Sequence, residues 1–492
     1  MSVDLAVPYD RLYVAGEWRR PRAGGTFPDL DPATKEPIST VGRAEAADVD
    51  DAVAAARAAF PSWSKRSPTE RGDILRRWAA LIKEHAEELA EIEARDVGKP
   101  ISAARVNIMV GIGNLSYGAG LADKVIGATL PSRSPDHTGL TWREPWGVCA
   151  SVLAWNVPAI MFCSAVGPTV AVGNTIVVKP SEMAPMVTMA LVGLAEEAGV
   201  PPGVVNVVPG LGSEAGVALT SHPGINHLSF VGSAPTGRAV MKAAADNLVP
   251  VRLELGGKSP NVVFADADLD RAIPIIVDSI TENAGQNCYA GSRLLVERSI
   301  YDEVVERVGE HMGRLRLGSW DQDLDMGPLI NEAQYRRVLG FVEGAVAEGA
   351  RVVTGGGPAD GDGLGRGWFA KPTLFDKVDG SMQVAREEVF GPVLAAQPFS
   401  GVAEALDLVD AVPYGLLVSV WTNDLSRALH VAREVRSGQV SVNEFANSCI
   451  LGLPFNVAKQ SGFSHGAGYD AVVELTQEKA VTIQMTLPEA TR

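Results

Sequence analysis

Five apolar, β-rich runs decide the fold: VCASVLAW (148–155), NTIVVKP (174–180), VVNVV (204–208), HLSFVG (227–232) and VRLEL (251–255). Helical stretches such as 182–198 and 235–246 separate them. Continuous apolar strands alternating with helices predict a mainly parallel sheet covered on both faces. Sheets of that kind bind ligands at the carboxyl ends of their strands. A second alternating region runs from 257 to 445, with helical 300–316, 332–349 and 424–437 and a Gly/Asp-rich surface loop at 354–368. Upstream, Ser67, Pro68 and Glu70 form a capping box with proline in the first turn, and Gly98 with Pro100 supplies the stop.

The whole chain has 492 residues, enough for two or three domains. Its net charge of −16 excludes a general nucleic-acid or anionic-membrane binder. The N-terminus shows no signal peptide. Pro145 to Val178 contains no charged residue, long enough to suggest a bilayer span, but Asn156, Pro158, Pro168 and Asn174 break it. A buried strand–helix–strand unit explains the same composition. Four cysteines, Cys149, Cys163, Cys288 and Cys449, are too few for a disulfide framework and fit a reducing, cytoplasmic location. The histidines show no metal-ligand spacing, so no metal site is expected.

Cys288 lies in ENAGQNCYAGSR (282–293), among Asn283, Gly285, Gln286 and Arg293, polar neighbours foreign to a packed core. Most free cysteines are small buried hydrophobes, and this setting is what singles it out. In LELGGKSPNVVF (253–264), Glu254 closes a strand beside two glycines. A carboxylate there can take a proton from water or a thiol, and it can equally pair with Lys258. The two residues are 34 positions apart, about one βα unit, so they can converge.

E-L-G-G-K followed by N-x-G-Q-x-C-x-A-x-x-R resembles the NAD(P)-dependent aldehyde dehydrogenase superfamily. WNVP (155–158), GNTIVVKPSE (173–182), FVGSAPTG (230–237), EEVFGPV (387–393), PYGL (413–416) and SGQVSVN (437–443) follow that family's order over nearly the whole chain. The resemblance implies an α/β architecture: a Rossmann-like NAD-binding domain (1–124 and 145–255), an α/β catalytic domain (256–445), and a small β oligomerisation arm with the C-terminal tail (125–144 and 446–492). It implies Cys288 as nucleophile, Asn156 with the Cys288 N–H as oxyanion donor, and Glu254 as activator of the water that hydrolyses a thioester. Trp155, Lys179, Ser181, Glu182, Gly232, Ser233, Leu255, Gly256, Glu388 and Phe390 would contact the cofactor. Ser233 would stand at the first turn of its helix, near the pyrophosphate. Glu182 would repel a 2′-phosphate and so argues for NAD over NADP.

Val110, Asn114, Val157, Asn287 and Tyr289 would line an aldehyde tunnel of mixed polarity, less aromatic than usual. Near the C-terminus, PFNVAKQSGFSHGAG (454–468) departs from the family's P-F-G-G-x-K-x-S-G-x-G-R-E: Asn456 and Val457 replace paired glycines, and Ser464 and His465 stand near the usual Arg-Glu. These changes predict an altered substrate mouth or subunit contact, with His465 a packed or interface histidine. The function implied is NAD-dependent oxidation of a small-molecule aldehyde to a carboxylic acid by a homodimer or homotetramer. The alternatives are a CoA-acylating semialdehyde dehydrogenase, against which Glu254 speaks, and a non-catalytic NAD-binding member.

Overall fold

All five runs form strands of one sheet in a computed structural model, which describes residues 5–446 and 450–486. Val205–Val207, Thr175–Lys179, Val148–Val152, His227–Val231 and Val251–Glu254 lie side by side in that spatial order, all parallel. The first strand in sequence, Val148–Val152, is central, and the chain winds outward from it in both directions. The crevice at this reversal opens between the ends of Val148–Val152 and His227–Val231, where doubly wound sheets take their ligands. Leu12–Val14 and Glu17–Arg19 extend one edge antiparallel, and Gly462–Phe463 caps the other edge against Val251–Glu254.

The charge-free stretch from Pro145 is a strand–helix–strand unit, Val148–Val152, Pro158–Ala171 and Thr175–Lys179. No helix among the described residues is long and apolar enough to cross a membrane.

A second sheet holds Arg351–Thr354, Thr373–Asp376, Val393–Phe399, Arg293–Glu297, Pro260–Val263, Leu417–Trp421 and Gln439–Val442, parallel except at its Arg351–Thr354 edge. In a third, three-stranded sheet His137–Pro145 is the central strand, antiparallel to Thr476–Gln484 on one side and to Thr129–Leu130 on the other.

Two helical expectations change. The helix begun by the Ser67 capping box ends at Glu84. His85 turns the chain, and a separate helix, Ala86–Val97, runs to left-handed Gly98. Only Met186–Gly193 of the stretch 182–198 is α-helical. Pro185 keeps the preceding residue out of helical geometry, and Leu194 and Ala195 tighten to i−3 bonds.

Candidate active site

A cavity of about 790 Å³ opens between the first sheet, the helices Ile101–Leu121 and Pro158–Ala171, and the segment 450–455. Asn156, Glu254 and Cys288 all line it. Each arrives by a different route. Asn156 follows the central strand of the first sheet, Glu254 ends that sheet's outer parallel strand, and Cys288 sits in the loop entering Arg293–Glu297 of the second sheet.

The Cys288 loop is unusual backbone. Asn283, Ala284 and Gly285 take positive φ of 51°, 54° and 70° in succession. For non-glycine residues this conformation costs about 1–3 kcal/mol each and persists only when surroundings impose it. They do so here: Gln286 is fully buried, its amide donating to the Asn283 carbonyl at 2.9 Å and accepting from the Ile330 N–H at 2.9 Å. Gly257 lets the neighbouring segment pass, since a Cβ there would stand 2.4 Å from the Cys288 carbonyl oxygen. Arg293 donates to the carbonyls of Lys258, Leu408 and Val409, so it braces the loop from behind.

Asn156 is tied to the same loop. Its carbonyl accepts from Asn283 Nδ2 at 3.0 Å and from Lys99 Nζ at 2.8 Å. Lys99 is itself buried against Glu93 at 2.9 Å, and Glu93 also accepts from Asn107 and the Ala159 N–H. With the backbone so held, the Asn156 side-chain amide makes no hydrogen bond among the described residues and faces the cavity. This buried bracket escaped the sequence reading, because nothing in Glu93, Lys99 or Asn107 taken singly distinguishes them from surface residues of a helix.

Burial, reinforced by Glu254 and Glu388, pushes the Cys288 thiol well above its usual value. Burial raises the Glu254 carboxyl to about 7, against the opposing pull of Arg252 and of a hydrogen bond from Ser464 Oγ at 2.6 Å. The C-terminal departure therefore reaches the carboxylate, beyond the mouth and subunit contacts expected of it. His465 is half-buried, its Nδ1 2.9 Å from Asn456 Oδ1. Lys258 does not pair with Glu254: its Nζ is buried without a hydrogen-bond partner among the described residues, and burial lowers it to about 7.

The residues expected at the cofactor lie outside this cavity, along the carboxyl edge of the first sheet. Lys179 Nζ donates to Glu182 at 3.0 Å and to the Pro180 carbonyl at 2.9 Å, while the Gly212 N–H donates to the other Glu182 oxygen at 3.1 Å. Burial pushes Glu182 upward, but Lys179 and these donors outweigh it and leave the carboxylate below its ordinary value. Ser181 Oγ accepts from the Met183 N–H. Ser233 follows Gly232 as the N-cap of Ala234–Ala245, one position earlier than the first turn expected for it. Leu255 is buried, and its N–H binds the Ser461 carbonyl. Glu388 comes from the second sheet: Oε1 accepts from the Gly257 N–H at 3.1 Å beside Gly256, and burial raises it to about 7. Phe390 meets Trp155 edge to face at 5.4 Å.

Val110, Asn114, Val157 and Tyr289 line the cavity. Asn287 does not: it is buried, with its amide 3.4 Å from Glu282. Its side chain turns toward Glu282 instead, from a loop packed within the fold. The lining is also more aromatic than expected, because Phe230 and Phe455 join Tyr289, whose ring lies 6.4 Å from that of Phe455. Phe455 sits far along the chain and carries no local signal of its role. Cys149 and Cys163 are buried; Cys449 lies outside the described residues.

The family model for the aldehyde dehydrogenase family matches residues 18–481. The chain is 39% identical to mouse retinal dehydrogenase 2 over 489 residues, covering 98% of this chain and 93% of that protein. Among solved structures it resembles the NAD+ complex of an aldehyde dehydrogenase from Bacillus cereus, with a TM-score of 0.94 and 38% identity over 97% of this chain and 96% of that one. It also resembles a betaine aldehyde dehydrogenase from Staphylococcus aureus solved with NAD+, with a TM-score of 0.95 and 35% identity over 98% of each chain. The fold is thus that of a family of aldehyde-oxidising enzymes. The chain is a member of the aldehyde dehydrogenase family.

Proposed function

We propose that this chain, an NAD-dependent aldehyde dehydrogenase, makes a carboxylic acid by a covalent route in which Cys288 captures the aldehyde, Asn156 holds the oxyanion and Glu254 activates water. The carrying observation is that these three side chains line one cavity. Cys288 sulfur bonds to the carbonyl carbon, giving a thiohemiacetal. The free Asn156 amide donates to the oxygen as it gains charge, as does the Cys288 N–H. One such donor is worth about 3 kcal/mol in other enzymes. Bound NAD+ supplies the hydride acceptor. Glu254, ionised above about 7, then takes a proton from water that attacks the thioester, releasing the acid and restoring the thiol. The buried thiol itself resists ionisation, so the same carboxylate is the proton acceptor for its activation.

The cofactor edge fits NAD. The Ala234–Ala245 helix presents its N-terminus and the Ser233 cap to the crevice, which suits a pyrophosphate. Glu182, held by Lys179 and Gly212, offers an anionic acceptor for ribose hydroxyls and disfavours a 2′-phosphate. We assign NAD binding to 1–124 with 145–255, and catalysis to 256–445. The three-stranded arm exposes Leu130, Trp142 and Ile483, which favours pairing with a second copy in a homodimer or homotetramer; a monomer by light scattering would remove that assignment. A cytoplasmic location follows from the cysteine chemistry. Purified protein with a panel of aldehydes and NAD should show NADH absorbance, and the panel with NADP should not; silence across the NAD panel would sink the function.

A further inference from the structure

Behind Glu254 the cavity continues as a chamber whose floor is the first sheet and whose roof is the Pro158–Ala171 helix. Three polar side chains stand in a row on that floor. Arg252 pairs in register with Ser229 on the next strand, and Ser229 with Ser151 on the one after. In-register residues of neighbouring strands share a face, and Arg252 shares that face with Glu254, two positions along its own strand. All three line the cavity. None of the three side chains makes a hydrogen bond or ion pair among the described residues, although Arg252 is only 8% exposed and Ser151 only 2%.

A buried guanidinium carries five donors in a planar fork and is not left unpaired without cost. The nearby groups do not satisfy it. Glu254 Oε1 accepts from Ser464 Oγ, and the Glu474 carboxylate accepts from the His465 N–H. His227, buried on the same face, is held near 4 by burial and by Arg252, so it is neutral and contributes no competing charge. The roof offers Ala165 and Thr169, whose hydroxyl is already spent on the Ala165 carbonyl. Among the described residues the chamber thus holds one guanidinium and two hydroxyls that make no hydrogen bond.

We propose that Arg252, Ser229 and Ser151 form a carboxylate-binding subsite in the chamber behind Glu254. The guanidinium would take the carboxylate through two parallel N–H donors, and the serine hydroxyls would donate to its remaining lone pairs. The carboxylate is either a free acid from solution or the distal carboxylate of an aldehyde that carries one. An anion there stands beside Glu254 and slows hydrolysis by opposing its ionisation. Only that kinetic consequence rests on the proposed role of Glu254; occupancy of the subsite does not.

Bromide soaked into crystals of the full chain should give an anomalous peak within hydrogen-bond distance of the Arg252 guanidinium, absent in Arg252→Gln. In solution, formate at constant ionic strength should inhibit turnover of an uncharged aldehyde, with an affinity about tenfold weaker in R252Q and largely restored in R252K. If the carboxylate comes on the substrate, R252Q raises KM about tenfold more for an ω-carboxy aldehyde than for its methyl ester. If it comes from solution, the two substrates respond alike and only formate inhibition weakens. Should R252Q not fold, Ser151→Ala with Ser229→Ala must weaken formate about threefold or more. No bromide at Arg252, together with formate inhibition unchanged in these variants, overturns the subsite. An enzyme inactive on every aldehyde but showing the bromide peak would instead refute the catalytic reading and leave the subsite standing.

Discussion

The two parallel sheets meet at the active site from opposite ends. The first sheet delivers Asn156, Lys179, Ser233 and Glu254 from the carboxyl ends of its strands, as doubly wound sheets do. The second delivers Cys288 and Glu388 from loops that lead into the amino ends of Arg293–Glu297 and Val393–Phe399. The carboxyl-end groups need only a strand that stops. The amino-end groups need special backbone: left-handed Asn283, Ala284 and Gly285 before the thiol, and left-handed Phe390 after Glu388. The proposed nucleophile is thus held by strained chain, and its proposed partners by ordinary sheet edges.

The largest test removes the strained side's reagent. Cys288→Ala should lower aldehyde-dependent NADH formation by about 10⁴-fold or more, while NAD binding and thermal unfolding stay near wild type. Activity retained in that variant would break the comparison at its centre. From the other sheet, Glu254→Gln should cut steady-state turnover about 10²- to 10³-fold, because the carboxylate serves both thiol activation and thioester hydrolysis. A full burst near one NADH per site in that variant would confine Glu254 to the second half-reaction. Asn156→Ala should cost about 10²-fold or more in kcat with little change in KM, the mark of an oxyanion donor.

pH sharpens the carboxyl-end half. Burial raises Glu254 to about 7, so the base is protonated and idle below that pH and ionised above it. Turnover should therefore rise with pH through about 7. Ser464→Ala removes a hydrogen bond that favours the ionised form, which raises the carboxyl further and moves the rising limb to higher pH. A limb unmoved in that variant would detach Ser464 from the base. The smallest effect belongs to the cofactor edge: Glu182→Gln should improve NADP relative to NAD by about tenfold, read as a ratio of kcat/KM.

Legibility followed the same division. The parallel sheet, its strands and the carboxyl-end position of Glu254 were readable because apolar runs between helices admit few arrangements. The thiol loop was visible as a motif but not as a geometry, so Asn287 was expected on the wrong side of its own backbone. Ser464 was noticed only as a departure. Its contact with Glu254 depends on Gly462–Phe463 pairing with Val251–Glu254, strands some two hundred positions apart.

The sequence alone determined the alternation of strands and helices, the order of the motifs and the membership of the family, since periodicity and local residue chemistry are properties of neighbours in the chain. Tertiary structure decided which buried groups are satisfied: that Lys99 and Asn283 hold Asn156 by its carbonyl, that Lys258 stands away from Glu254, and that Arg252 lines a chamber without a hydrogen bond or ion pair among the described residues. Burial and hydrogen-bond satisfaction are set by contacts between distant segments, and those exist only once the sheets have closed on one another.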